Sequence, residues 1–147
     1  TSNRFSIEAG DEAELDALWT INVKAPLFMT RHCLPHLRRA GSGRILNVAS
    51  LSGKRVRNEN VAYNMTKHAL IALSHGTRRI GWGDGIRVTT LCPSFVRTDL
   101  TADVTKVPPD QMIAPQDLAD LAVTALMLPN NAAIPEVLVN CRLEDQY

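Results

Sequence analysis

The stretch that decides the fold runs from residue 44 to residue 92. Residues 44–50 read RILNVAS, residues 61–82 read VAYNMTKHALIALSHGTRRIGW, and residues 86–92 read IRVTTLC. The first and third segments are short apolar runs beside turn residues, which is typical of buried strands. The middle segment has the apolar spacing of a helix and ends at the turn Gly83-Asp84-Gly85. This order predicts a strand, a crossover helix and a second, parallel strand.

The same alternation continues on both sides of this unit. Residues 11–37 carry apolar side chains in a helical rhythm interrupted by Pro26 and Pro35, which predicts one long, kinked helix. Residues 115–128 begin with proline and predict a third helix, and residues 136–140 predict a last short strand. About three strands alternating with three main helices predict part of a doubly wound, Rossmann-like α/β fold.

We expect part of such a fold to be missing from this sequence. Three parallel strands would leave one sheet edge and much of one face uncovered, which parallel sheets rarely tolerate. The sequence also contains no glycine-rich turn between a strand and a helix, where a dinucleotide's phosphates usually bind. We therefore expect the rest of the domain to be encoded before Thr1.

Composition describes an ordinary globular chain and excludes several classes of partner. The 147 residues are 45% hydrophobic and 21% charged, with a net charge of +1 and no basic stretch, so we expect neither nucleic-acid nor membrane binding. No apolar run approaches the roughly 18 residues of a membrane span, and the polar start is unlike a signal peptide, which favours a cytoplasmic protein. Three scattered cysteines and four histidines lack the spacing of a metal site.

Tyr63 and Lys67 are the first candidates for chemistry. They are four residues apart in the predicted central helix, so their side chains share one face. A free tyrosine has a pKa near 10, and a neighbouring ammonium favours the phenolate, so the pair suits acid and base catalysis. A tyrosine and a lysine at this spacing also occur by chance on many solvated helix faces.

Ser50 strengthens that interpretation because it ends the first predicted strand, thirteen residues before Tyr63. The carboxyl ends of strands are where ligands bind in open α/β sheets, and a serine there can donate to a substrate carbonyl oxygen. The alternative is a turn residue that satisfies its own backbone. Ser52, two residues later, is expected to shape the turn or line the substrate pocket.

Four motifs in this order resemble those of the short-chain dehydrogenase/reductase family. They are Asn22 within INV at 21–23, Ser50 within NVASLSG at 47–53, YNMTK at 63–67 and PSFVRT at 93–98. The resemblance covers nearly the whole chain. It implies that residues 1–147 are the catalytic, carboxy-terminal half of one domain, whose phosphate-binding, amino-terminal half is absent. It implies an NAD- or NADP-dependent oxidoreductase that interconverts an alcohol and a carbonyl compound, with the cofactor performing the hydride transfer.

The resemblance also implies a role for each motif residue. Tyr63 would be the general acid in carbonyl reduction and the base in alcohol oxidation. Lys67 would lower the pKa of Tyr63 and bind the nicotinamide ribose, and Ser50 would orient the substrate oxygen. The backbone carbonyl of Asn22 would hold a water that links the lysine to solvent. Pro26 has no N–H to bond that carbonyl, although it could equally serve only to kink the helix.

The segment 93–98 resembles the family motif that contacts the nicotinamide carboxamide. The resemblance assigns cofactor contacts to Pro93, Ser94, Val96 and Thr98. Ser94 stands where the family usually has glycine, so a backbone with positive φ would be strained at this position.

The predicted helices 11–37 and 61–82 resemble the pair that forms a four-helix interface in family members. We therefore expect a homodimer or homotetramer acting on a small-molecule alcohol or carbonyl compound. The alternative is a truncated product or fold relative that catalyses nothing and acts through protein association, because a fold does not by itself confer activity.

Overall fold

The computed structural model of this chain describes residues 5–144 and has the predicted α/β alternation. The strands are β1 (Arg44–Val48), β2 (Arg87–Pro93) and β3 (Glu136–Val139), and the helices are α1 (Glu12–Trp19), α2 (Ala25–Ala40), α3 (Val61–Gly81) and α4 (Pro115–Leu126). Short 3₁₀ turns lie at Leu51–Gly53, Asp99–Thr101 and Pro109–Gln111. Among these residues no helix is long and apolar enough to cross a bilayer.

The three strands form one parallel sheet in the order β1-β2-β3. In the register, Val48 of β1 lies opposite Leu91 of β2, which in turn lies opposite Val137 of β3. Every residue of β2 is buried, as expected for a central strand. The other edge of β1 pairs with no strand among residues 5–144. The predicted three-stranded parallel sheet is thus confirmed, and its open edge is on β1.

The predicted strand and helix ends are wrong by one or two residues in several places. The first strand ends at Val48 instead of Ser50, because Ser50 already caps the 3₁₀ turn that follows. The second strand runs one residue later than predicted, from 87 to 93. The last helix ends at Leu126 and the last strand at Val139, earlier than predicted.

The predicted helix at 11–37 is a continuous helical run with a change of hydrogen bonding inside it. Residues Thr20–Lys24 form a π turn, whose backbone N–H groups bond carbonyls five residues back. Pro26 follows at once and has no N–H for the carbonyl of Asn22. The helix also continues past 37 to Ala40, where Gly41 ends it in the left-handed conformation with φ 64°.

A small apolar core holds the 3₁₀ turn after β1 against α3. Its buried members are Ala49, Leu51, Leu70, Ile71 and Cys92. This packing matters for the site, because Ser50 begins the turn and Tyr63 and Lys67 lie on α3.

Candidate active site

Ser50 lies just beyond the carboxyl end of β1 and has the turn role considered for it, while its contact with a substrate oxygen stays a prediction. Its Oγ accepts a hydrogen bond from the backbone N–H of Ser52 at 3.1 Å, so it does satisfy the turn. It also lies 3.5 Å from the carbonyl oxygen of Pro93 and is hydrogen-bonded to the Tyr63 phenol. Ser52 itself lies in the 3₁₀ turn, in keeping with its predicted turn-shaping role.

Tyr63 and Lys67 stand on the first two turns of α3, which Asn60 caps by accepting from the Tyr63 backbone N–H at 3.3 Å. The Lys67 Nζ is 5.5 Å from the centroid of the Tyr63 ring and donates to the carbonyl oxygen of Val48 at 3.1 Å. The fold therefore brings Ser50, Tyr63 and Lys67 together at the carboxyl end of β1.

The pKa of Tyr63 is raised, whereas the resemblance implied that Lys67 would lower it. Burial raises the pKa of the Tyr63 phenol above its ordinary value of 10.0, and the hydrogen bond with Ser50 offsets this only in part. Burial also lowers the pKa of Lys67, while the neighbouring Cys92 raises it. For Tyr63, burial therefore outweighs the hydrogen bond with Ser50, and the phenol keeps its proton at neutral pH.

Asn22 is connected to this site through α3. Its Nδ2 donates to Oγ1 of Thr66 at 3.2 Å, and the Thr66 hydroxyl donates to the carbonyl oxygen of Tyr63 at 2.9 Å. Thr66 precedes Lys67 in the helix. Sequence reasoning missed Thr66, because only the tertiary fold brings it to Asn22.

The segment after β2 forms a separate, tightly hydrogen-bonded loop at the same edge of the sheet. The backbone N–H of Ser94 bonds the carbonyl of Val139 at 2.8 Å, and its Oγ accepts from the Cys141 thiol at 3.5 Å. Thr98 caps the following 3₁₀ turn, and its hydroxyl lies 3.5 Å from the Val96 carbonyl. The hydrogen bonds of Thr98 thus stay within the loop, and its cofactor contact stays a prediction, as do those of Pro93, Ser94 and Val96.

Sequence reasoning also missed an ion-pair cluster on the connection between Ser50 and Tyr63. Arg55 and Arg57 donate to the same oxygen of Glu144, at 2.6 and 2.7 Å, and the Glu144 side chain is 1% exposed. Glu144 lies almost ninety residues further along the chain, so no local pattern could pair it with these arginines. The cluster ties the segment after β3 to the connection between Ser50 and Tyr63.

Three of the four histidines, His36, His68 and His75, have hydrogen-bond partners. His75 contacts Glu136 at 2.6 Å, and His68 contacts the carbonyl oxygen of Asn64 at 2.8 Å. Within residues 5–144, no three His, Cys, Asp or Glu side chains are grouped as metal ligands would be.

The site fits one end of a dinucleotide. Lys67 offers an ammonium, and Ser50 and Tyr63 offer hydroxyls, at a sheet edge suited to a ribose and a reacting carbonyl. The two helices that follow strands, α3 and α4, begin after Asn60 and Ala114, and neither is preceded by a glycine-rich loop that could receive a pyrophosphate. The described residues therefore fit the nicotinamide end of a cofactor but provide no phosphate loop.

The chain is similar in sequence to known proteins. A family model described as short chain dehydrogenase matches residues 2–108. The agropine synthesis reductase of Rhizobium rhizogenes is 44% identical over 134 residues, which cover 91% of this chain and 31% of that protein.

Two solved structures share the fold along nearly all of this chain. The 3-ketoacyl-(acyl-carrier-protein) reductase of Brucella melitensis, complexed with NADH, matches with a TM-score of 0.81 at 26% identity, over 94% of this chain and 61% of that one. A metagenomic short-chain oxidoreductase in complex with NADP matches with a TM-score of 0.72 at 29% identity, over 94% and 57%. The chain therefore spans less than two thirds of the length of each of these relatives.

Proposed function

The chain belongs to the short-chain dehydrogenase family, and we propose that in the complete protein it interconverts an alcohol and a carbonyl compound with NAD or NADP. The observation that carries this proposal is the convergence of Ser50, Tyr63 and Lys67 beyond the carboxyl end of β1. The reductase named among its relatives, and the NADH and NADP in two structural neighbours, support the reaction class and the cofactor class.

In this proposal the protein handles the proton. The Ser50 hydroxyl, which already contacts the Tyr63 phenol, donates to the substrate oxygen and fixes its position. Tyr63 then gives its proton to that oxygen in reduction, or accepts it in oxidation. The bound cofactor supplies or accepts the hydride. Lys67 holds the nicotinamide ribose, and Pro93, Ser94, Val96 and Thr98 contact the carboxamide.

The raised pKa of Tyr63 determines its protonation state at neutral pH. Burial keeps the proton on the phenol, which is the form that carbonyl reduction uses, and makes the phenolate that alcohol oxidation needs scarce.

Asn22 would act through its backbone in this scheme. The π turn at Thr20–Lys24 and the missing N–H of Pro26 both disturb α-helical bonding at this carbonyl. We propose that the Asn22 carbonyl binds a water that returns protons toward Lys67.

Phosphate binding is assigned to a part of the protein outside residues 1–147. The open edge of β1 and the absence of a glycine-rich turn from this sequence support that division. The competing function is a catalytically silent chain that associates with a partner. Dinucleotide binding separates the two, since only an oxidoreductase requires it.

Self-association is proposed through the faces of α2 and α3. Leu27, Phe28 and Ile80 expose 44%, 48% and 59% of their surfaces there, and an apolar groove of about 340 Å³ runs between the two helices. Apolar patches of this kind favour protein contacts. We expect a homodimer or homotetramer by size exclusion with light scattering, and a stable monomer would contradict this.

The decisive experiment uses the complete protein. NADH and NADPH oxidation would be followed at 340 nm with a panel of ketones and aldehydes, beside the Tyr63→Phe variant. We expect turnover of at least one carbonyl compound and its loss in the variant. Undetectable binding of both dinucleotides would overturn the proposal and favour the silent association partner.

A further inference from the structure

The Thr66 hydroxyl joins two parts of the site that are distant in sequence. It is completely buried and makes two hydrogen bonds. Its single proton goes to the carbonyl oxygen of Tyr63, which can only accept, and its lone pair receives the Asn22 amide N–H. The bonds therefore run in one direction, from the Asn22 amide through the Thr66 hydroxyl to the Tyr63 carbonyl.

Little apolar packing holds the helical run around Asn22 in place. The π turn and α2 contain no buried residue, and α1 contains only Leu18. A π turn is also a rare arrangement of the helical backbone. Within the described part of the chain, a specific polar bond to α3 is therefore well placed to fix the depth and rotation of Asn22.

We propose that Thr66 is a positioning residue that holds the Asn22 backbone in register with Tyr63 and Lys67. The inference rests on the proposed function, because its effect on turnover requires Tyr63 and Lys67 to act as assigned. It goes further by giving the Thr66 hydroxyl the task of aligning two helices within the proton pathway.

Replacement of Thr66 by valine tests the contribution of the hydroxyl group alone. Valine keeps the branched shape but has no donor or acceptor, so the Asn22 amide loses its partner while the volume of the side chain is almost unchanged. Serine restores the hydroxyl. A displacement of the Asn22 carbonyl by a fraction of an ångström is expected to slow proton supply without weakening substrate binding.

The test compares T66V, T66S and S74A in the complete protein, using NADPH or NADH and the ketone that the wild type reduces fastest. Ser74 is a matched control, because it is 3% exposed on the same helix, accepts from the Asn47 amide and donates to the Leu70 carbonyl, but lies about two turns beyond Lys67. We expect T66V to lower kcat about 10-fold, to leave KM within about 2-fold and to enlarge the solvent deuterium isotope effect. T66S should recover most of kcat, and S74A should change neither kcat nor the isotope effect.

Asn22→Ala gives a second, independent measurement if T66V folds poorly. This variant removes the amide but keeps the backbone carbonyl, so it should reproduce the T66V phenotype, and the double variant should lose no more than either single one. Wild-type kcat and isotope effect in folded T66V, or additive losses in the double variant, would overturn the assignment of Thr66. A wild-type protein that reduces no carbonyl compound would instead refute the proposed function, which the same assay shows before any variant is compared.

Discussion

Gly53→Ala tests how Ser50 is held beside Tyr63 and Lys67. Gly53 closes the 3₁₀ turn that Ser50 begins, and it is buried against α3. A Cβ at this position would lie 2.7 Å from the carbonyl oxygen of Lys67 and 2.8 Å from Cδ1 of Ile71. Ordinary contact begins at 3.4 Å, so the turn or the helix would have to move by about 0.7 Å.

The size of the effect follows from which atom obstructs the new methyl group. The Ile71 methyl can rotate away, but the Lys67 carbonyl belongs to the backbone of α3 and cannot. Overpacking of this kind costs about 1 to 3 kcal/mol, and we place Gly53→Ala in the upper half of that range. A shift of about 0.7 Å between Ser50 and Tyr63 should also lower kcat/KM by roughly 10- to 100-fold.

Urea unfolding and carbonyl reduction by the complete protein would measure the two effects. Gly83→Ala is the matched control, since a Cβ there meets no atom within 4 Å. We expect the control to leave stability and turnover close to wild type. A Gly53→Ala protein with unchanged unfolding free energy and unchanged kcat/KM would refute the argument that this close approach sets the Ser50 to Tyr63 geometry.

Three further predictions concern the proton and the ion pairs. Tyr63→Phe should abolish turnover and leave the dinucleotide Kd within about 2-fold by fluorescence titration. Lys67→Ala should lower turnover and also weaken dinucleotide binding. Substantial turnover in Tyr63→Phe would disprove the acid role. Because burial raises the Tyr63 pKa above 10.0, carbonyl reduction should hold its rate through neutral pH and decline only above about pH 10; a decline centred below pH 9 would contradict this. Glu144→Gln should lower the unfolding free energy by about 2 to 4 kcal/mol, because the Arg55 side chain is only 10% exposed and loses its charged partner. The control Glu59→Gln, on the exposed surface, should leave the unfolding free energy unchanged.

The alternation of elements and the central part of the site could be predicted from the sequence. The spacing of apolar residues and the positions of turn residues are local features of the sequence. They therefore located β1, α3 and β2 to within one or two residues. A four-residue separation on a helix puts Tyr63 and Lys67 on one face in any packing, and a residue that follows a strand lies at the ligand-binding edge. Local geometry therefore sufficed to bring Ser50 into the same prediction.

The tertiary structure decided the features that depend on distant residues. The Thr66 hydroxyl meets Asn22 across 44 residues, and Glu144 meets Arg55 across 89. The helical periodicity could not predict the π turn before Pro26, because one extra residue in a single turn leaves the apolar pattern almost intact. The pKa of Tyr63 was the clearest difference. Residue spacing shows that a cation is near, but burial depends on everything packed around the phenol, and burial has the largest effect on the pKa of Tyr63.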